Sequence, residues 1–192
     1  MKHEITAPGK AFSLRPVDLD DADFILSLRG DHTHARYLHP VSADPERQRA
    51  WIAEYLLRAG DFYFVVSNNR TSEREGLVSV YDVKNGEAEW GRWILRPGSM
   101  AGPESAFLIY QVAFQTLGLT RLYCRTIAEN SAVVRFHDEC GLVRTSSAHT
   151  AQLGDRVLPS VEHQLLQADW PAVAARLQSH ANAVARLMER GQ

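Results

Sequence analysis

The chain has 192 residues, of which 45% are hydrophobic and 23% charged, and its formal net charge is −2. This length favours one domain with its own core, and the charge argues against nucleic acid as the main partner, because phosphate binding favours a basic surface. No apolar run is long enough to span a membrane, and residues 1–5 lack the apolar core of a signal peptide, so we expect a cytoplasmic protein.

Elements of the N-terminal half are predicted from the periodicity of apolar residues and from helix caps. The acidic run that begins at Asp18 suits the first turn of a helix, and aromatic and β-branched residues suit strands. The loop at 30–45 is rich in side chains that can hydrogen-bond a polar ligand, although most such loops are plain connectors. Strands are predicted at 12–17, 61–67 and 75–83, and helices at 18–29 and 42–57.

The middle of the chain carries the most informative pattern. Asn85-Gly86 is a hairpin turn, which makes the strands on either side antiparallel neighbours. A glycine-containing turn then leads into a helix. Such a turn aims backbone N–H groups at one point, where the helix adds about half a positive charge, and can hold a phosphate. An ordinary strand-to-helix turn is the alternative. The order is strand, loop, helix, strand, helix, at 89–95, 96–103, 104–117, 121–127 and 130–141.

The C-terminal part is predicted to form a second hairpin and a last helix. Strands are expected at 143–152 and 157–166, and the helix runs from Asp169 to about residue 190. Its apolar stripe either docks on the body or makes a homodimer contact. We expect a main domain at 1–168 and a helical extension at 169–192. The stripe consists of Val173, Leu177, Ala181, Val184 and Leu187.

Cysteine and histidine usage offers no metal site. Cys124 and Cys140 do not form a CxxC motif, which favours free thiols in a reducing compartment. His32 and His34 lie two residues apart and so do not share a helical face. We therefore expect no bound metal.

Residues 130–142 resemble the N-x-x-A-x-x-x-Y/H-x-x-x-G-F signature of the GCN5-related N-acetyltransferases (GNAT family), with His137 at the Tyr/His position. Residues 97–102 fall on the family's Q/R-x-x-G-x-G/A motif. Gly102 matches its last position, while Pro97 replaces Gln or Arg and Met100 replaces the first Gly. The resemblance spans roughly residues 12–166. Within the family, the chain is similar to ribosomal-protein-alanine and nucleotide-amino-sugar N-acetyltransferases.

The resemblance implies an α/β fold with a central, twisted, mostly antiparallel sheet flanked by helices, plus a C-terminal helix. It also implies acetyl-CoA as cosubstrate. The diphosphate would bind the loop, and the pantetheine arm would bind the strand backbone and Asn130, which could equally cap its helix. The implied cofactor-binding residues are Trp93, Ile94, Leu95, Gly98, Ser99, Met100, Ala101, Gly102, Pro103 and Asn130.

Acetyl transfer to an amine needs a base for the amine proton and benefits from an acid for the thiolate that leaves. The resemblance implies Glu89 as the base, acting through a water, although Glu87 lies on the same side of the strand. It implies His137 as the acid, for which packing at a helix end is the alternative. The implied substrate-binding residues are Tyr37, His39 and Trp90.

The expected reaction is direct attack by a primary amine on acetyl-CoA in a ternary complex, with no enzyme nucleophile. The resemblance points first to a small-molecule amine such as a nucleotide-linked amino sugar. The alternatives are an acetyltransferase for protein N-termini and a GNAT module that binds CoA without turnover. Neither nucleic acid nor a membrane is an expected partner.

Overall fold

The computed structural model describes residues 3–31 and 35–190 of the chain; the histidines at 32 and 34 lie outside them. The described residues form nine strands and five α-helices. The strands are β1 (Ala7–Pro8), β2 (Phe12–Pro16), β3 (Phe62–Asn68), β4 (Arg74–Lys84), β5 (Glu87–Leu95), β6 (Arg121–Ile127), β7 (Val143–Arg144), β8 (His149–Leu153) and β9 (Arg156–Leu166). The helices are α1 (Ala22–Arg29), α2 (Pro45–Tyr55), α3 (Gly102–Gln111), α4 (Ser131–Cys140) and α5 (Trp170–Arg190).

One sheet organises the described residues, in the order β1-β2-β3-β4-β5-β6-β9-β7, with β8 paired to β9. Neighbouring strands are antiparallel except β5 and β6, which are parallel. Helix α3 connects that parallel pair, as a crossover between parallel strands requires. The predicted mixed sheet with flanking helices and a C-terminal helix is confirmed.

The sheet is buried on both faces, because successive side chains of a strand point to opposite sides. On β3, Phe64 and Val66 belong to a core shared with α3 and α5, whereas Tyr63 and Val65 belong to a core shared with α1 and α2. This explains why β3 reads as a continuous apolar run rather than an alternating one. Helices on both faces therefore hold the centre of the sheet rigidly.

The last helix docks on the body instead of standing free. Val173 and Leu177 are buried in the core that includes α3, whereas Leu187 is 59% exposed. Ala181 is buried and Val184 is partly buried against the same core, so the predicted apolar stripe packs on the body up to its last member. Among the described helices, including α5 with its 21 residues, none combines the length and apolar character of a membrane span.

The single strand predicted at 143–152 is two short strands. Both β7 and β8 pair with β9, at Val143↔Gln164 and His149↔Ser160. Thr145 N–H still donates to Glu162 O at 3.0 Å, after which the chain leaves the ladder through exposed serines and an alanine at 146–148. The pattern predicted strand character correctly but could not show this break.

Glu104 fastens α3 to the N-terminal hairpin. Its carboxylate is 3% exposed and accepts the backbone N–H groups of Ala11 at 3.0 Å, Phe12 at 2.9 Å and Lys10. A buried carboxylate is stable only when such donors replace water. The Glu104 carboxylate thus binds the turn between β1 and β2, and it does not accept hydrogen bonds from the N–H groups of the glycine loop.

Replacing Glu104 by glutamine should destabilise the protein by about 2 kcal/mol, because the amide loses the charge and one acceptor that satisfy these three donors. Thermal unfolding followed by circular dichroism measures this loss. Glu139→Gln is the matched control, because Glu139 is an exposed residue of α4. Equal melting temperatures for the two variants would contradict the fastening role.

Candidate active site

A cleft opens where β5 and β6 separate. The two strands pair only where Glu87, Ala88 and Glu89 face Arg121, Leu122 and Tyr123. Beyond that point β5 remains paired with β4, and β6 with β9, but the two no longer pair with each other. Backbone N–H and C=O groups along the inner edge of β5 therefore face open space and can pair with an extended ligand.

A bulge in β5 accompanies this separation. Against β4, Ser79 faces Gly91 and Leu77 faces Ile94, so β5 contains one extra residue. Arg92 takes the extra position with a φ of 48°, a left-handed conformation that side chains other than glycine rarely adopt. The bulge brings the Arg92 guanidinium onto Asp61, at 2.7 and 3.1 Å.

A cavity of about 780 Å³ occupies the cleft, within the usual range for small-molecule sites. Its walls come from α1, α2 and residues 37–42 between them, from β3 to β6, from β8 and β9, and from α4. Seven predicted site residues line it together: Tyr37, His39, Glu89, Trp90, Trp93, Asn130 and His137. Ile94, Leu95 and residues 98–103 do not line this cavity and continue from β5 into the glycine loop.

Glu89 lies at the fork of the two strands, with its side chain 14% exposed. It accepts a hydrogen bond from Tyr81 Oη at 2.9 Å and one from Arg125 Nη1 at 3.0 Å. Burial raises the pKa of Glu89, and these two bonds partly oppose the rise. Glu87, by contrast, is 49% exposed, pairs with Arg121 at 2.8 Å and does not line the cavity. The structure thus separates two carboxylates that sequence spacing left equivalent.

His137 is 2% exposed, and its ring packs on those of Trp90 and His163 at centroid distances of 5.4 and 5.2 Å. Burial, assisted by the nearby His163, lowers the pKa of His137 to about 3. The ring is therefore neutral at pH 7. Any proton that His137 donates comes from a neutral ring.

The substrate-side residues predicted from the sequence differ in what they offer. Trp90 is 1% exposed, and its indole N–H donates to Tyr110 Oη at 2.9 Å, so it contributes packing beneath the cleft. Tyr37 Oη donates to Glu129 O at 3.0 Å and thereby links the loop after α1 to the loop before α4. His39 is exposed at the cavity wall.

The glycine loop ends in the N-terminus of α3. Gly98 has a φ of 77° in a turn closed by Ser99 N–H to Arg96 O at 3.1 Å. In the described part of the chain, the N–H groups of Met100 and Gly102 have no hydrogen-bond partner. Pro103 is the second residue of α3. Free N–H groups at a helix start fit the diphosphate of CoA.

Asn130 immediately precedes α4, yet its side chain makes no capping hydrogen bond. It lines the cavity, so its amide remains available to a ligand. The alternative role that the sequence left open, a side-chain cap, is absent at this position. The two cysteines are buried free thiols; burial raises the pKa of Cys124, and that of Cys140 to about 11, so neither is a thiolate at neutral pH.

Sequence reasoning missed the two side chains that hold Glu89. Tyr81 reaches it from the neighbouring strand, and Arg125 reaches it from β6, where Arg125 also pairs with Glu162 at 2.9 Å. The hairpin at Asn85-Gly86 placed β4 beside β5, but its regular register would put Asp82 and not Tyr81 opposite Glu89. The approach of Arg125 depends on the crossover through α3 and had no local signal.

Among the described residues, no group of three His, Cys, Asp or Glu side chains could hold a metal ion. The groups that the cleft does present are a buried carboxylate, its two partners, a neutral histidine and free backbone groups.

The family model described as the acetyltransferase (GNAT) domain matches residues 12–143, more than half of the chain. Among curated proteins, none matches the chain significantly.

Several solved structures share the fold. FdhC, described as a nucleotide-linked sugar GNAT, is 25% identical with a TM-score of 0.76, over 88% of this chain and 94% of that one. A GCN5-related N-acetyltransferase from Brucella melitensis is 19% identical with a TM-score of 0.79, over 92% and 85%. Spermidine N-acetyltransferase from Vibrio cholerae, in complex with CoA and spermine, is 19% identical with a TM-score of 0.75, over 84% and 99%. The chain belongs to the GNAT family of acetyltransferases.

Proposed function

We propose that the protein transfers the acetyl group of acetyl-CoA to a primary amine of a small molecule, by direct attack in a ternary complex. The observation that carries this proposal is the position of Glu89, a largely buried carboxylate at the fork of β5 and β6 that faces a cavity of about 780 Å³. A carboxylate with a raised pKa, held in place by two hydrogen bonds, has the properties of a general base.

The cosubstrate side is supported by groups that lack partners in the described chain. The unpaired edge of β5 at Trp93–Leu95 would hold the pantetheine arm, Asn130 would assist it, and the N–H groups of Met100 and Gly102 would hold the diphosphate. Acetyl-CoA supplies an acyl group that is already activated as a thioester.

Glu89 would remove the proton that an alkylamine carries at neutral pH, directly or through a water. Tyr81 and Arg125 orient the carboxylate, and because Arg125 is shared with Glu162, its charge is divided between two acids. The pKa of Glu89 is therefore higher than it would be if Arg125 paired with Glu89 alone. The burial of Glu89 then decides the direction of its pKa shift.

The acceptor is best matched by a molecule that carries acidic groups as well as its amine. Within the described residues, the cavity wall includes four arginines and one carboxylate, Glu89. Asp61 and Glu162 offset Arg92 and Arg125, but Arg29 has no carboxylate partner among the described residues. A polyamine such as the spermine bound by the Vibrio cholerae neighbour would therefore still face a like charge here. A nucleotide-linked amino sugar, the kind of substrate implied by the description of FdhC, fits this charge balance. The arginines are Arg29, Arg47, Arg92 and Arg125.

The alternative acceptor, a protein N-terminus, is less well supported. Tyr37 bridges to Glu129 O across the cavity wall, and β8 lines the cavity with Thr150 and Gln152. A polypeptide would need a continuous open groove, whereas these contacts enclose the acceptor side. The second alternative, binding without turnover, does not explain why a carboxylate with a raised pKa occupies the fork.

Release of CoA thiol in the presence of acetyl-CoA tests the proposal directly. A panel should contain nucleotide-linked amino sugars, free amino sugars, polyamines and peptides with free N-termini. We expect turnover with the first class and tight CoA binding in calorimetry. CoA binding without turnover on any amine would favour the binding module, and a lack of CoA binding would refute both.

His137→Phe should lower kcat about tenfold, because phenylalanine removes the ring nitrogens that His137 presents to the cleft. The dissociation constant for CoA should stay nearly unchanged, because phenylalanine can still pack on Trp90. His137→Gln restores a donor and should recover part of the rate. Because the pKa of His137 is about 3, neither variant should shift the pH profile between pH 5 and 8 by roughly more than a few tenths of a unit. Equal losses of kcat and CoA affinity would indicate a packing role only.

A further inference from the structure

Arg29 differs from the other arginines of the cleft in having no carboxylate counterion among the described residues. It ends α1 and lines the cavity, and its Nη2 donates to His39 O at 2.6 Å. Its Nε is buried and has no hydrogen-bond partner. Among the described residues, no carboxylate lies within ion-pair distance of its guanidinium, although Tyr63 lies beside it.

The contrast with its neighbours is clear. Arg92 is neutralised by Asp61 through two bonds, and Arg125 is shared between Glu89 and Glu162. Tyr63 cannot serve as the missing anion for Arg29, because burial raises the pKa of Tyr63 to about 12 and keeps it neutral.

A partly buried guanidinium without an anion is costly, because it has lost water and gained no opposite charge. Burial, with the like charge of Arg92 nearby, lowers the pKa of Arg29 despite the Tyr63 hydroxyl. Side chains kept in such a state are a common feature of binding sites, where the ligand brings the missing charge. An oxyanion that entered the cavity would remove this cost.

We infer that Arg29 binds an acidic group of the acceptor, a phosphate or a carboxylate, and so selects anionic amines. This inference rests on the proposed function and deepens it. Glu89 and Arg29 line the same cavity, one on β5 and the other at the end of α1. The cavity thus offers a carboxylate for the ammonium group and a guanidinium for the acidic group of one zwitterionic ligand.

Acceptors that share an amine and differ in whether they carry an acidic group test the inference. A nucleotide-linked amino sugar is compared with the free sugar, and an α-amino acid with its amide. In Arg29→Gln, kcat/KM for the anionic member of a pair should fall roughly 10- to 100-fold, mainly through KM, whereas the uncharged member should change less than about twofold. Loss confined to the first pair identifies a phosphate, and loss confined to the second identifies a carboxylate.

Arg29→Lys keeps the charge without the planar fork and should give an intermediate loss. Arg49→Gln removes an arginine of α2 that pairs with Glu46 and does not line the cavity, and it should leave both pairs unchanged. A nucleoside diphosphate provides a readout without turnover. In calorimetry with CoA already bound, its affinity for the wild type should be higher than its affinity for Arg29→Gln.

Equal losses for charged and uncharged acceptors, with unchanged diphosphate affinity, would overturn the role of Arg29 while the acetyltransferase proposal stands. Failure of the wild type to bind CoA or to turn over any amine would refute the proposed function instead. In that event, diphosphate binding that depends on Arg29 would still support an anion site in the cavity.

Discussion

Replacing Glu89 by glutamine is expected to lower kcat/KM for the acceptor by about 10²- to 10⁴-fold, the usual contribution of a positioned general base. Glutamine has nearly the shape of glutamate and can still accept from Tyr81 Oη, which donates to Glu89 at 2.9 Å. It cannot accept the amine proton. The loss should therefore appear in the rate of acetyl transfer, measured as CoA thiol release, and not in CoA affinity.

The pH dependence of this loss has a definite sign. Burial raises the pKa of Glu89, so the wild-type rate should rise with pH as the carboxylate loses its proton, and the variant should lack this limb. The gap between the two enzymes should be widest above the pKa of Glu89 and below that of the amine. At high pH the amine is already neutral, and the gap should close.

Stability provides a check that Glu89→Gln folds. A carboxyl whose pKa is raised in the folded state is harder to ionise there than in the unfolded chain, so its charge disfavours folding above that pKa. The variant should accordingly melt no lower than the wild type at pH 7, since Arg125 keeps Glu162 as a partner. A large drop in melting temperature would mean that a rate loss reports misfolding.

Glu87→Gln is the matched control, because Glu87 lies two residues earlier on β5, is half exposed and pairs with Arg121. We expect its rate to stay within about twofold of the wild type, as is usual for an exposed ion pair. Equal rates for wild type and Glu89→Gln across the pH range would remove Glu89 as the base, and a loss in Glu87→Gln alone would transfer that role.

Elements bounded by clear signals were predictable from the sequence. The strand predicted at 121–127 is β6 without change, and α4 ends before Gly141, whose φ of 89° provides the left-handed residue that helix ends require. The hairpin at Asn85-Gly86 also formed as predicted. In each case the local pattern and the residues at its boundary predict the same element, and the element in the assembled fold is the predicted one.

The cleft was not predictable to the same degree, because irregular backbone creates it. A regular two-residue hairpin at Asn85-Gly86 would place Glu89 opposite Asp82, yet Glu89 faces Tyr81. The shift arises at Asp82, which has a φ of 56°, and a second bulge places Arg92 at 48°. Positive φ at an aspartate or an arginine leaves no pattern in the sequence, so neither the partner of Glu89 nor the bulge could be predicted.

The charges of the cleft depend on which distant elements meet there. Arg29 on α1, Arg92 on β5 and Arg125 on β6 are surface arginines in any local interpretation of the sequence. Only the assembled fold shows that Asp61 and Glu162 neutralise two of them and that Arg29 has no counterion among the described residues. The sequence therefore indicated an acetyltransferase, whereas the charges around the acceptor follow only from the assembled fold.

Gly102→Val is expected to weaken CoA binding by about 10²-fold, which is about 2.7 kcal/mol and corresponds to two charge-assisted backbone hydrogen bonds. Gly102 begins α3, and its N–H and that of Met100 lack partners in the described chain. A branched side chain at this point would keep a diphosphate away from both donors. Isothermal titration with CoA measures the loss, and kcat at saturating acetyl-CoA should change little.

The protein itself should tolerate the change, which makes the experiment specific. A Cβ atom at Gly102 would meet only Leu95 Cδ1 and Trp93 Cζ2, both at 3.9 Å, an ordinary van der Waals distance. Gly102→Ala should therefore fold normally and bind CoA with intermediate affinity. Gln115→Val changes an exposed position later in the same helical segment and controls for the effect of a valine on stability and CoA affinity. Normal CoA affinity in Gly102→Val would mean that the diphosphate binds elsewhere, because no ligand could contact these two N–H groups past that side chain.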